Sequence, residues 1–168
     1  MAIERRSSSD LLVHGIIGGI VAGIVFAIFE MAAAATMGLS FFDPVRLIAS
    51  LAIGTQALSP AFPLATAVIT GLVVHLVLSA VYGVIFVYLL ALTNQISTSV
   101  GLLLLFGTIF GLALWVVNFL IIAPIFWPQF TMVDQFWNGF VAHTFFYGTV
   151  IGWYVSAFVS GRAWVPTK

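Results

Sequence analysis

Gly71-Leu-Val-Val-His75-Leu-Val-Leu-Ser79-Ala-Val-Tyr82-Gly83 is an apolar run interrupted by one histidine and one serine. It belongs to an apolar stretch over about 64–92, longer than the roughly 20 residues a helix needs to cross the hydrocarbon core. A shorter echo, Gly139-Phe-Val-Ala-His143-Thr-Phe-Phe-Tyr147-Gly148, lies in a later apolar stretch. In both, a glycine stands four residues before the histidine. On a helix those positions share one face, one turn apart, so each imidazole is expected to have a surface free of side chains beside it.

The composition sets the class. Hydrophobic residues make up 62% of the 168 positions and charged residues 6%, with mean hydropathy +1.22. A soluble domain carries roughly 25% charged residues, so this chain cannot cover a globular surface with solvated groups and reads as a membrane protein. Its formal net charge is zero, which gives no basic footprint for nucleic acid. The absence of cysteine excludes disulfides, thiolate metal sites and iron–sulfur ligation.

Working outward, four spans are predicted, at about 11–37, 64–92, 100–123 and 136–160, in one domain covering 1–168. Arg5 and Arg6 followed by an apolar stretch invite a signal-peptide reading, but the stretch is too long and contains Glu30. Asp10 is a candidate N-cap for the first span and Asp134 for the fourth. Between the first two spans, Phe41-Phe42-Asp43-Pro44-Val-Arg46-Leu47-Ile48 reads as a short interfacial helix, capped by Asp43 with Pro44 in its first turn. Thr93 to Ser99 is an uncharged polar turn, and Pro124, Trp127 and Pro128 close the third span. Arg5, Arg6, Arg162 and Lys168 fall on the side of both termini and only Arg46 on the other. The positive-inside rule then places both termini in the cytoplasm. Phe41, Phe42, Trp127 and Trp137 fit an outer aromatic belt, and Trp164 an inner one.

The spans are related in pairs. Gly19-x3-Gly23-x6-Glu30 aligns without gaps on Gly107-x3-Gly111-x6-Asn118, and the second and fourth spans share the Gly-x3-His unit. The expected fold is therefore all-α, a polytopic four-helix bundle of two like hairpins, about 11–92 and 100–160, repeated in parallel about an axis along the membrane normal. Gly15-x3-Gly19-x3-Gly23 and Gly107-x3-Gly111 are small-residue faces of the kind that let helices approach closely in lipid.

At about 1.5 Å per residue, Glu30, Asn118, His75 and His143 come to similar depth. In an up-down-up-down bundle, His75 and His143 face each other on one diagonal, Glu30 and Asn118 on the other. A carboxylate at such depth costs about 2.5–3.5 kcal/mol on insertion scales and marks a functional hypothesis by default. The simplest account is a structural hydrogen-bonded network with Glu30 protonated or paired to a histidine. The alternatives are a b-type haem held by His75 and His143, a zinc or iron site made by both histidines with Glu30, or a proton or ion path. No i,i+4 ligand pair supports the metal, and no polar track continues toward the cytoplasm. His14 reads as an interfacial residue. There is no nucleophile–base pair, P-loop or dinucleotide fingerprint, and enzymatic activity is not expected.

His75 with Ser79, and Gly139 with His143, together with the two-hairpin layout, resemble the YagU-like small inner-membrane proteins of bacteria. The resemblance covers most of the chain in layout and few residues in identity. It implies a prokaryotic plasma-membrane location and the same topology. The chain departs from that pattern at Trp115 to Asn118 and in its long first connection. With almost no extramembrane mass and 15% aromatic residues, the chain is expected to serve as a non-catalytic subunit of a larger membrane complex, with the bilayer, other subunits or its own copies as partners. A haem-binding electron carrier is the second expectation and a small transporter or channel the third.

Overall fold

The computed structural model describes residues 8–92, 99–131 and 136–158. Arg5, Arg6, the turn over 93–98, Asp134, Arg162, Trp164 and Lys168 lie outside the described residues. The described chain is helical, with α1 (Ser8–Thr36), α2 (Asp43–Ile53), α3 (Leu64–Leu92) and α4 (Val100–Trp115) in order. After α4 the helix widens into a π-helical segment, Val116–Ile122, and returns to α geometry as α5 (Ala123–Phe126). A last helical stretch comprises α6 (Phe136–Val141), a second π segment (Ala142–Thr149) and α7 (Val150–Phe158). Three helices, Ser8–Thr36, Leu64–Leu92 and Val100–Phe126, are long and apolar enough to cross a membrane.

Burial puts small residues inside and leaves large apolar ones outside. On α1 the buried positions include Gly15, Gly18, Gly19, Ala22 and Gly23. On α3 a stripe of Ile69, Val73, Val77, Val81 and Ile85 stands exposed at four-residue spacing. Without a hydrophobic drive between helices in lipid, close packing of small residues takes its place. The backbones do come that close. A Cβ on Gly19 would lie 2.2 Å from the Ser79 carbonyl oxygen, and one on Gly83 2.2 Å from that of Gly15. In the second half, a Cβ on Gly107 would lie 2.2 Å from the Gly148 carbonyl oxygen, and one on Gly152 2.4 Å from that of Leu103.

α1 therefore packs along α3, and α4 along the Ala142–Thr149 segment and α7. α1 also reaches Ala142–Thr149 and α7, joining the two pairs. Between α3 and α4 no comparable interface forms among the described residues. They meet where the Phe86 and Phe110 rings pack at 5.2 Å, and beyond α4 the Tyr82 hydroxyl donates to Asn118 Oδ1 of the π segment at 3.1 Å.

Two local features have identifiable causes. Pro124 has no N–H to give the Leu120 carbonyl, and the turn that leads to it is wound wide as Val116–Ile122. In the other π segment, His143 Nδ1 donates to the Gly139 carbonyl at 2.8 Å, competing for the acceptor that an α turn would give to the His143 backbone N–H. The third span thus runs to Phe126 rather than ending at Ala123.

The first connection departs most from expectation. Its helix covers Asp43–Ile53, longer than predicted, and Asp43 lies inside it, accepting from the Ser40 N–H at 2.9 Å. Asp10 likewise lies within α1 instead of capping it. Arg46 does not face head groups. It is buried, and its guanidinium donates to the carbonyls of Ala57 (3.1 Å) and Ser59. α2 rests on α3 where Gly71 leaves room: a Cβ there would lie 2.1 Å from the Val45 carbonyl oxygen. The open surface expected beside His75 is thus filled by α2. From the other side, Gln129 donates to Ser50 Oγ at 3.0 Å, tying the turn after α5 to the same helix.

Candidate functional site

A cavity of about 620 Å³ lies between α3 and the chain over 114–126. α3 contributes Leu72, His75, Leu78 and Tyr82, and the chain over 114–126 contributes Leu114, Asn118, Phe119 and Ile122. Phe26 and Glu30 of α1 and His143 and Tyr147 of the second π segment form further wall. Val45, Leu47 and Leu51 of α2, with Trp127 and Phe130, form the end nearest the first connection. The lining stops at Tyr82 and Leu114, near where Phe86 meets Phe110.

All four residues of the predicted polar cluster, Glu30, Asn118, His75 and His143, are on this wall. Their partners are not each other. Glu30 Oε2 accepts from Asn138 Nδ2 at 2.8 Å, while Oε1 is buried with no hydrogen-bond partner. Asn118 takes the Tyr82 hydroxyl. His75 Nε2 donates to the Gly23 carbonyl at 2.8 Å, using the acceptor that the small-residue face of α1 leaves accessible. The Phe26 ring packs against both histidines, 5.2 Å from His75 and 4.7 Å from His143. Phe119 packs edge-on to His143 from the other side at 5.3 Å.

This geometry bears on each expected chemistry. A haem held by His75 and His143 needs a free Nε2 on each ring and a flat gap between them. Here His75 Nε2 is engaged by the Gly23 carbonyl, and the Phe26 ring packs against both imidazoles. For the metal reading, no group of three His, Asp or Glu side chains within reach of one ion occurs among the described residues. Glu30 turns to Asn138, and not to a histidine. His14 is not merely interfacial, since its Nδ1 lies 3.2 Å from the Tyr154 hydroxyl.

Four residues of the site were missed from sequence. Asn138 is one of few polar side chains in the fourth apolar stretch, and ranking those by depth would have found it. Tyr82 and Tyr147 read as apolar, yet Tyr147 donates to the Ser79 carbonyl at 2.6 Å. Phe26 carries no sequence signal that separates it from the other phenylalanines. Trp127, assigned to an aromatic belt, is also part of the cavity wall. Comparison with known proteins finds no matching family model, no matching curated protein and no matching solved structure.

Proposed function

We propose that this chain is a non-catalytic four-helix membrane protein that binds a lipid-phase molecule in the cavity between two like hairpins. The observation that carries the reading is the cavity itself: about 620 Å³, in the size range of ligand sites, with apolar walls and a few polar groups, among helices of membrane-spanning apolarity. The gap between α3 and α4 is the way in from the bilayer.

The fourth span is the 23 residues of helix from Phe136 to Phe158, about 34 Å at 1.5 Å per residue and so long enough for a hydrocarbon core of about 30 Å. The matched glycine contacts support the parallel repeat. Gly19 meets the Ser79 carbonyl as Gly107 meets that of Gly148. His75, Ser79 and Gly83 follow at intervals of four, whereas His143, Gly148 and Gly152 follow at five and four. The π segment supplies the extra residue and brings the second copy back into register.

Both termini then face the cytoplasm and α2 the opposite side, in the bacterial inner membrane that the YagU-like resemblance implies. The accessory-subunit reading rests on broad apolar outer faces, which lipid covers equally well. A through-path for ions has no support beyond Tyr82 and Leu114, where the lining ends. A diazirine-bearing lipid analogue, photolysed in proteoliposomes and located by peptide mass spectrometry, tests the proposal. Labels are expected at Leu78 and Phe119 in excess over the outer-face residues Val73 and Ile109. Labelling confined to the outer face defeats it.

A further inference from the structure

If the cavity is a binding site, as proposed above, the unspent hydrogen-bonding groups on its wall specify the head group it takes. Carbonyl oxygens only accept, so the bond to Gly23 places a proton on His75 Nε2 and the bond to Gly139 places one on His143 Nδ1. In the neutral rings His75 Nδ1 and His143 Nε2 are then left with lone pairs. Glu30, only 6% exposed, uses Oε2 for Asn138 and leaves Oε1 without a donor. Glu30 is part of the cavity wall, and a turn about the carboxylate's terminal torsion, which is soft, exchanges the two oxygens without supplying the missing donor. The Tyr82 and Tyr147 hydroxyl protons are already given to Asn118 and to the Ser79 carbonyl. With Glu30 as the carboxylate, acceptors are in surplus, and the Asn118 amide and the Ser79 hydroxyl are left as donors.

We propose that the cavity selects an amphiphile with an apolar body and a single hydroxyl head, such as a long-chain or polyprenyl alcohol. A hydroxyl gives its proton to an acceptor of the His75–Glu30–His143 group and accepts from Asn118. An ether, ester or ketone has no proton to give and would set lone pairs against lone pairs. An ammonium gives protons but has no lone pair for the Asn118 amide. The buried, partnerless Glu30 oxygen is the group that such a hydroxyl completes.

The test uses the full-length protein in nanodiscs and three probes: geranylgeraniol, its methyl ether and geranylgeranylamine, each competed against a fluorescent polyprenyl probe. The alcohol is expected to bind up to about tenfold tighter than the ether, the size of one hydrogen bond. Glu30→Gln, which puts an amide donor where the open acceptor was, should bring alcohol and ether to within a few-fold, with the ether gaining affinity. His75→Phe, which keeps a ring against Phe26, should narrow the gap in the same direction. Leu78→Trp, which fills the cavity, should abolish binding of all three. Equal affinity for alcohol and ether, both lost in Leu78→Trp, overturns the head-group selection and leaves the cavity reading standing. A preference for the amine also overturns it. Probe binding that Leu78→Trp leaves intact overturns the cavity reading instead. Each variant is compared only where its helical circular dichroism matches the parent.

Discussion

Gly19→Ala tests whether helices in this molecule are held together by backbone proximity. The added Cβ would sit 2.2 Å from the Ser79 carbonyl oxygen, 2.9 Å from its carbon and 3.0 Å from Ala80 Cα. None of these is the free end of a flexible side chain, so α1 and α3 must part by about 1 Å to restore ordinary contact. A gap of that size forfeits a quarter to a half of each dispersion contact across the interface, about 1–3 kcal/mol for overpacking of this kind. Alanine's better helix propensity returns about 0.5–1 kcal/mol, leaving a net loss of up to about 2.5 kcal/mol. Gly107→Ala meets the Gly148 carbonyl at the same 2.2 Å and should cost as much. Gly101→Ala is the control, since its nearest outside atom is Ser99 Oγ at 3.9 Å, and it should be neutral or slightly stabilising. Reversible unfolding in mixed micelles by denaturing detergent, or steric trapping in bilayers, reads these differences. If Gly19→Ala is as well tolerated as Gly101→Ala, the close approach of α1 and α3 does not exist in the membrane.

Other perturbations have equally definite outcomes. Asn138→Leu removes the one donor to Glu30 and should destabilise by about 1–3 kcal/mol, whereas Glu30→Leu together with Asn138→Leu should recover most of that loss in the same unfolding assay. Arg46→Lys loses the fork that reaches two carbonyls and should speed amide exchange across α2 while leaving α1 and α3 unchanged; uniform exchange in parent and variant would contradict the anchoring role of Arg46. Because the chain has no cysteine, single cysteines at exposed Gln56 and Ser99 give a clean orientation test. Gln56→Cys should react with an impermeant thiol reagent on intact cells and Ser99→Cys only after permeabilisation, and the reverse pattern would invert the topology.

What the sequence disclosed and what it hid divide along physical lines. Periodicity and length are properties of one helix at a time, so the long apolar helices could be read from hydropathy alone. Glycine spacing carried the contact face, because a residue without a side chain marks where another backbone can lie. Partner choice is different: it depends on rotation and offset between helices. Glu30 and Asn118 sit at matched positions of a repeated pattern, yet Glu30 turns to Asn138 and Asn118 to Tyr82, and no spacing along one chain encodes that. Arg46 shows the same limit. A lone arginine in an amphipathic helix reads as a head-group contact, and only the path of the chain through Ala57 and Ser59 reveals carbonyls waiting for it. Gly71 signalled a close approach correctly, while the occupant, Val45 of α2, was not visible.

The central claim is that α3 and α4 stand apart in the bilayer and hold a molecule between them. The density of the protein determined in nanodiscs of native membrane lipid tests it most directly. The account predicts an elongated feature between the two helices, in contact with Leu78 and Phe119, with its polar end toward Glu30 and His75. Closure of α3 onto α4, with Leu78 packed against Phe119 and no space between them, would contradict it.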